Sequence, residues 1–230
     1  CSKLIFKQKL LTKSFMKKVF LILSTAVLLA SCGGSQSHDE AGHDDHSADS
    51  TVVENESAVS GSYSVSAEAS KVMWEGNKVI GDGHVGVVTI KSGSVEVSEG
   101  VVTSSNIVID MTTIDEVDAG SEEYAAKLEG HLMAPDFFNV DSFPTASIKV
   151  KSVANGNATA DLTIKDVTKE VVFPLTTTVT ETEVTTNAKF SINRTDWGIV
   201  YGSGNFFADL AKDKIIKDEI KFDVTIVAKK

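Results

Sequence analysis

The side chains that could do chemistry are few, and they lie in separate parts of the sequence. Both cysteines, Cys1 and Cys32, precede the region of regular patterning, so that region has no thiol nucleophile, disulfide or cysteine metal site. Its only histidines are His84 and His131, and two neutral ligands so far apart in sequence make a poor zinc site. There is no G-x-S-x-G turn, phosphate-binding glycine loop or Ser-His-acid motif. The sequence therefore indicates a protein without catalytic residues or a cofactor, and not an enzyme.

Cys32 has the clearest chemical context. It follows two lysines, a short apolar run and the small residues Ala30 and Ser31, which is the layout of a secretory signal starting at Met16. The apolar run is shorter than the roughly 20 residues that span a bilayer. The segment resembles the lipobox of bacterial lipoproteins, in which the cysteine is acylated and the peptide before it is removed. We therefore expect residues 1–31 to be removed and Cys32 to carry the lipid anchor.

Residues 32–60 are predicted to be a disordered linker, because they are acidic and polar with little apolar surface to bury. His38, His43 and His46 lie among the acids and are weak metal-binding candidates, although a solvated linker has the same composition. The acidic run behind the cysteine resembles the surface-export signals of some Bacteroidetes lipoproteins. We expect a lipid-anchored protein of the cell envelope of a Gram-negative bacterium, periplasmic or surface-exposed.

The acidic charge of the chain argues against nucleic acid and anionic lipid surfaces as partners. Removing residues 1–31, which carry six lysines and no acids, moves the formal net charge from −10 to −16. Nucleic acid is not expected to bind, because phosphate neutralisation needs clustered basic residues. The mature chain also lacks a polybasic patch for anionic lipids, so its membrane attachment depends on the anchor.

From residue 61 to residue 230 the chain alternates apolar and polar residues, as half-buried antiparallel strands do. The clearest runs are residues 94–98, 146–151, 158–165 and 220–226. Gly93, Gly100, Asn187 and the Asn-Gly-Asn at 155–157 are read as turns. About eight strands at hairpin spacing favour an up-and-down barrel or a sandwich.

One segment has helical spacing instead. Tyr124, Leu128 and Leu132 recur every four residues within 121–132, acids occupy the first turn, and Pro135 follows. We expect one short helix that lies against the sheet or caps it.

Several stretches resemble the YceI-like family. They are residues 127–147 (KLEGHLMAPDFFNVDSFPTAS), 108–114 (VIDMTTI) and 193–220 (NRTDWGIVYGSGNFFADLAKDKIIKDEI). Together with residues 81–93, the similarity extends over 62–229. The resemblance implies an all-β, antiparallel, eight-stranded lipocalin-like barrel that holds a polyisoprenoid lipid.

Small residues on the apolar faces agree with a hollow barrel. Ala146, Ala158, Ala160 and Ala188 leave room that larger side chains would fill, and a barrel of eight strands is wide enough for one small ligand. We therefore expect a carrier of a polyprenyl phosphate or a quinone. A dry, fully packed core explains the same alternation. In that case the chain would be an envelope-stress, structural or adhesion lipoprotein without a ligand.

Ligand-binding candidates are the large rings and the residues near the family-like loops: Trp74, His131, Phe137, Phe138, Arg194, Trp197, Phe206 and Phe207. Arg194 is the only arginine, and it either pairs with Asp196 or Asp136 or binds a phosphate head group in bidentate fashion. His131 could instead stabilise the end of the helix. The sequence leaves open whether the chain forms a homodimer.

Overall fold

The structure, a computed structural model, describes residues 58–230. The predictions for the signal segment, for Cys32 and for His38, His43 and His46 lie outside the described residues.

The described region is built from nine antiparallel strands and one α-helix. In chain order they are β1 Gly61–Val65, β2 Lys71–Lys78, β3 His84–Ser98, β4 Val101–Glu116, α1 Glu122–Met133, β5 Thr145–Ala154, β6 Asn157–Ile164, β7 Val167–Val179, β8 Glu183–Asn193 and β9 Ile216–Lys229. Short 3-10 turns occur at Arg194–Trp197 and Lys212–Lys214. Within residues 58–230, no helix has the length and apolar character that crossing a membrane requires.

The strands form a closed barrel with eight positions around the ring. Each strand pairs with its neighbours in the order β3-β2-β9-β8-β7-β6-β5-β4, and the ladder between β3 and β4 closes the ring. β1 and β2 share one position, because both pair with β3 and with β9, β1 near one barrel end and β2 towards the other. The predicted eight-stranded antiparallel barrel with one short helix is confirmed.

Local sequence explains the hairpins. Three of them have two-residue loops in which both residues adopt positive φ, a geometry that matches strand twist. The loops are Glu99-Gly100, Asn155-Gly156 and Lys165-Asp166. The first two were expected from glycine and asparagine, whereas Lys165-Asp166 has no such signal and was missed.

Two of the predicted turns are wrong. Gly93 lies inside β3, where it is paired with Ile107, and Asn187 lies inside β8, where it is paired with Thr225. A Cβ on Gly93 would lie 2.9 Å from the carbonyl oxygen of Asn106 and 3.0 Å from Val65, so this glycine permits close packing rather than a turn.

The helix α1 follows its sequence signals closely. The Ser121 hydroxyl accepts a hydrogen bond from the Tyr124 amide at 3.3 Å, and Glu122 and Glu123 occupy the first turn. The helix ends at Met133, two residues before Pro135, in keeping with the restriction that proline places on the residue before it. Leu132 is the buried residue of α1, and the helix packs against β4 at one end of the barrel.

The opposite end of the barrel is filled by side chains. Tyr63 of β1 is fully buried, and its hydroxyl donates to the carbonyl oxygen of Thr180 at 2.8 Å. Around the ring lie the small and β-branched residues Val95, Val97, Val102, Val184 and Ala228. We call this set the Tyr63 plug, and it closes the barrel end remote from α1.

Candidate functional site at the barrel interior

An apolar cavity of about 180 Å³ lies inside the barrel. Its wall contains side chains from strands all around the ring, among them Val72, Ile107, Ala146, Leu162, Ala188 and Phe222. Its few polar wall residues are Ser105, Thr186, Arg194, Lys217 and Glu219. We call this space the interior cavity. The barrel is therefore not completely filled by its own side chains.

The small residues account for only part of this cavity. Ala146 and Ala188 line it, as expected, but Ala158 and Ala160 do not. These two alanines are fully buried in a cluster with Phe173, and the Phe173 ring stacks on Phe190 with centroids 4.5 Å apart. The stacked rings occupy the room that Ala158 and Ala160 leave.

A second cavity of about 530 Å³ lies at the barrel end that α1 covers. It shares Trp74, Gly76, Leu132, Phe137 and Ile216 with the wall of the interior cavity, so the two spaces are adjacent. We call it the mouth cavity.

The wall of the mouth cavity carries basic residues but no acid. Lys78, His84, His131 and Lys214 contribute to it. The lysines in particular place positive charge at the mouth of a chain whose formal net charge is −10. Acids lie just outside this wall, since Asp118, Asp136 and Asp213 are within 4.0 Å of His84, His131 and Lys214.

Phe137 lies between the two cavities. The ring is buried and contributes to both walls. Its position is fixed by the loop after α1, where the Phe137 carbonyl accepts a hydrogen bond from Lys165 Nζ at 2.8 Å. Phe138, its neighbour, lines the interior cavity only. Both of these ligand-binding candidates thus line the interior cavity.

Arg194 lies at the edge of the interior cavity, but its donors are occupied by the protein. The residue is 0% exposed. Its guanidinium donates to the carbonyl oxygens of Ile199 at 2.6 Å and of Ile216 and Lys217 at 3.1 Å. These bonds hold the segment after β8 against the start of β9.

The acidic partner of Arg194 is Asp218, at 3.4 Å from its guanidinium. The expected pairing with Asp196 or Asp136 is wrong, because the 3-10 turn after β8 directs the side chain towards β9. Burial lowers the pKa of Arg194, and Asp218 opposes this shift. Such a committed, buried guanidinium is suited to holding the fold together rather than to binding a head group.

The two tryptophans have different positions. Trp74 lines both cavities and packs over Gly86, where a Cβ would collide with the indole ring. Trp197 is buried outside both cavity walls and donates its indole N–H to the Leu162 carbonyl at 3.2 Å.

Trp197 lies beside a part of the barrel wall where two neighbouring strands, β7 and β8, are not hydrogen-bonded to each other. The pairing between β7 and β8 joins residues 175–179 with 184–188, and within the described region the remaining parts of these strands do not pair with each other. Trp197 follows β8 and contacts β6 across this interval, so its role is in closing the wall.

The remaining candidates belong to the mouth. His131 lies 3.5 Å from Asp136 and packs edge-on against Tyr201 with centroids 4.5 Å apart. Phe207 lines the mouth cavity, whereas Phe206 is 56% exposed and lines neither cavity.

Several mouth residues were not predicted from the sequence, among them Lys78, Tyr201 and Lys214, which line the cavity. His84, which the sequence pairs with His131 only as a poor zinc site, is the first residue of β3. Its Nδ1 lies 3.4 Å from Glu116 Oε1 and 4.0 Å from Asp118 Oδ1. Counting from the Glu99-Gly100 hairpin places His84 opposite Asp115, and the register shifts in the β3–β4 ladder then move it towards Glu116 and Asp118.

The carboxyl groups of this cluster perturb each other. Burial raises the pKa of Glu116, and its hydrogen bond with Asp118 raises it further, while His84 opposes the shift. The same hydrogen bond lowers the pKa of Asp118. Glu116 Oε2 is buried without a hydrogen-bond donor within the described residues. Glu116 and Asp118 therefore form a close pair of acids beside His84.

Comparison with known proteins identifies the architecture. The family model described as a YceI-like domain matches residues 63–228. No curated protein matches the chain significantly.

Two solved structures share its fold. Burkholderia cenocepacia BcnA is 23% identical, with a TM-score of 0.55, and the match covers 71% of this chain and 99% of BcnA. A polyisoprenoid binding domain from Saccharophagus degradans, implicated in plant cell wall breakdown, is 17% identical with the same TM-score of 0.55. That match covers 73% of this chain and 97% of the domain.

The geometry of Arg194 generates a first prediction. Replacing Arg194 by Lys removes the planar set of donors and leaves buried carbonyl oxygens without partners, so the free energy of unfolding should fall by about 2–3 kcal/mol. Urea denaturation followed by circular dichroism measures this loss. Lys189→Met, at an exposed ion pair on β8, is the control and should change the stability by less than about 0.5 kcal/mol. Equal stabilities of Arg194→Lys and the parent would show that the guanidinium bonds do not support the fold.

Proposed function

The chain belongs to the YceI-like domain family, and we propose that its barrel binds and carries one isoprenoid lipid without acting as an enzyme. The observation that supports this proposal is the apolar interior cavity, which adjoins a mouth cavity with a basic wall. An isoprenoid lipid has an apolar tail, which matches the interior cavity, and a polar head, which matches the mouth cavity. The YceI-like family is one of binding proteins rather than of enzymes.

The size of the cavities bears on how the tail fits. A dry cavity of about 150 Å³ holds one benzene molecule, so the interior cavity of about 180 Å³ holds a short part of a prenyl tail. Binding a longer tail requires flexible wall residues such as Met111 to change rotamer. The mouth cavity, about 530 Å³, is large enough for the head group and the adjoining units.

The free energy of burial sets a minimum for the tail. Each five-carbon unit contributes about 4 kcal/mol when it is removed from water, at about 0.8 kcal/mol per carbon. Association costs on the order of 4–15 kcal/mol. Roughly three or more units must therefore be buried for tight binding, which favours a polyprenyl ligand over a single short terpene.

The basic wall of the mouth supports a phosphate head group over a quinone. Lys78 and Lys214 contribute positive charge there, and a quinone offers no negative charge to meet it. Lys214 is also 3.6 Å from Asp213, an exposed pair that a phosphate could displace. A polyprenyl phosphate is therefore the ligand that we propose.

We further propose that the protein works at the cell envelope of a Gram-negative bacterium, lipid-anchored through Cys32 in its periplasm or at its surface. The signal-like segment and the lipobox-like residues before Cys32 support this location. An anchored carrier is held close to the bilayer from which its ligand comes.

Filling the interior cavity tests the carrier function. Ala146→Leu should reduce bound isoprenoid at least tenfold, because the added carbons occupy the space of the tail, at a stability cost of about 1–3 kcal/mol. Native mass spectrometry and organic extraction of protein purified from its own membrane measure the bound lipid. Ala126→Leu, the same change at an exposed position of α1, should retain one lipid per chain. A parent protein that carries no lipid would contradict the carrier function and support a structural or adhesion role.

Changing the mouth charge tests the head group. The double variant Lys78→Met and Lys214→Met should bind a polyprenyl phosphate about thirtyfold more weakly and bind a quinone with the same tail unchanged, because each lysine contributes on the order of 1 kcal/mol to the phosphate only. Fluorescence titration with both lipids measures the difference. Lys149→Met with Lys189→Met, which removes two lysines remote from the mouth cavity, is the matched control. Equal weakening for phosphate and quinone would exclude a charge-based role.

The location has its own test. Cys32→Ala should abolish acylation and release the protein from the membrane fraction. Mass spectrometry of the parent should find an acylated N-terminal cysteine at position 32. An unmodified cysteine, or a mature chain that begins at another residue, would overturn the anchor.

A further inference from the structure

We propose that His84, Glu116 and Asp118 bind a divalent transition-metal cation at the rim of the barrel mouth. One donor atom from each residue can be chosen so that all three lie within 4.8 Å of one another. His84 lines the mouth cavity with Lys78 and Lys214, but the proposed site does not depend on whether the barrel carries a lipid.

The spacing of the donor atoms fits a metal. Zinc binds histidine nitrogen and carboxylate oxygen at about 2.0–2.2 Å, which places neighbouring ligand atoms about 3.4 Å apart in a tetrahedral site. His84 Nδ1 lies 3.4 Å from Glu116 Oε1 and 4.0 Å from Asp118 Oδ1. Small side-chain rotations close the difference.

Glu116 supplies the observation that calls for a cation. Its side chain is 0% exposed, and its Oε2 has no hydrogen-bond donor among the described residues. A buried carboxylate oxygen without a partner is costly, and it is costlier beside a second carboxylate. Glu129 adds a third acid, because its Oε1 accepts the Glu116 amide at 3.1 Å. A bound cation would compensate this concentration of negative charge.

Tyr124 completes the environment of the histidine. When Nδ1 binds a metal, Nε2 carries the ring proton, and the Tyr124 hydroxyl lies 3.4 Å from Nε2, in a position to accept it. Such a second partner orients metal-binding histidines in proteins generally. This arrangement uses both nitrogens of His84.

The ligand set favours a first-row transition metal over calcium or magnesium. Imidazole suits zinc, copper and nickel, whereas calcium and magnesium prefer oxygen ligands alone. Asp118 is 45% exposed and His84 is 21% exposed, so water can complete the coordination. A metal here would retain positions open to the mouth.

The experiment uses the full mature chain with His38, His43 and His46 replaced by Ala, which removes competing ligands of the linker. Titration with zinc chloride by calorimetry should show one zinc per chain. Zinc should also raise the Tm.

Glu116→Gln and Asp118→Asn should each weaken zinc binding at least tenfold. Asp118→Asn changes a partly exposed side chain, so it keeps the test decisive if Glu116→Gln does not fold. Glu122→Gln makes the same chemical change in the exposed first turn of α1 and should bind zinc as the parent does. Absence of zinc binding, or equal affinity in Asp118→Asn and the parent, would overturn the proposal.

Discussion

Closure of the strand ring by the β3–β4 ladder is the constraint on which the rest of the molecule depends. In a closed barrel, every second residue of each strand points into the interior. The width of that interior is set by the number of strands, here eight. Side chains of ordinary size nearly fill such a space, so positions as small as Ala146 and Ala188 leave it partly hollow. The cavity is thus a product of ring geometry and a few side-chain volumes.

The fold was largely predictable because its signals are local. Alternation locates strands such as β5, β6 and β9, and four-residue spacing with acids in the first turn locates α1. The long strands β3 and β4, of 15 and 16 residues, were harder to recognise, since most strands have about 5–6. Reading Gly93 as a turn broke β3 in two and hid the approach of its first residue, His84, to the end of β4.

The site was less predictable because it depends on contacts between distant segments. Aromatic residues near the lumen, such as Trp74 and Phe137, are recognisable by their size and context. The hydrogen-bond partners of Arg194 cannot be recognised in this way. Any backbone carbonyl can accept from a guanidinium, and only the tertiary structure determines which carbonyls do. The basic wall of the mouth could not be predicted from the composition. The composition gives the net charge of the chain, which is acidic, but not where the charges lie.

The Tyr63 plug leaves the barrel with one closed end, so the α1 end is the end that can open. The proposed isoprenoid would therefore enter by the α1 end tail-first and leave by the same route, with its hydrophilic end facing outward. The distance from plug to mouth would limit how much of its tail the barrel can hold.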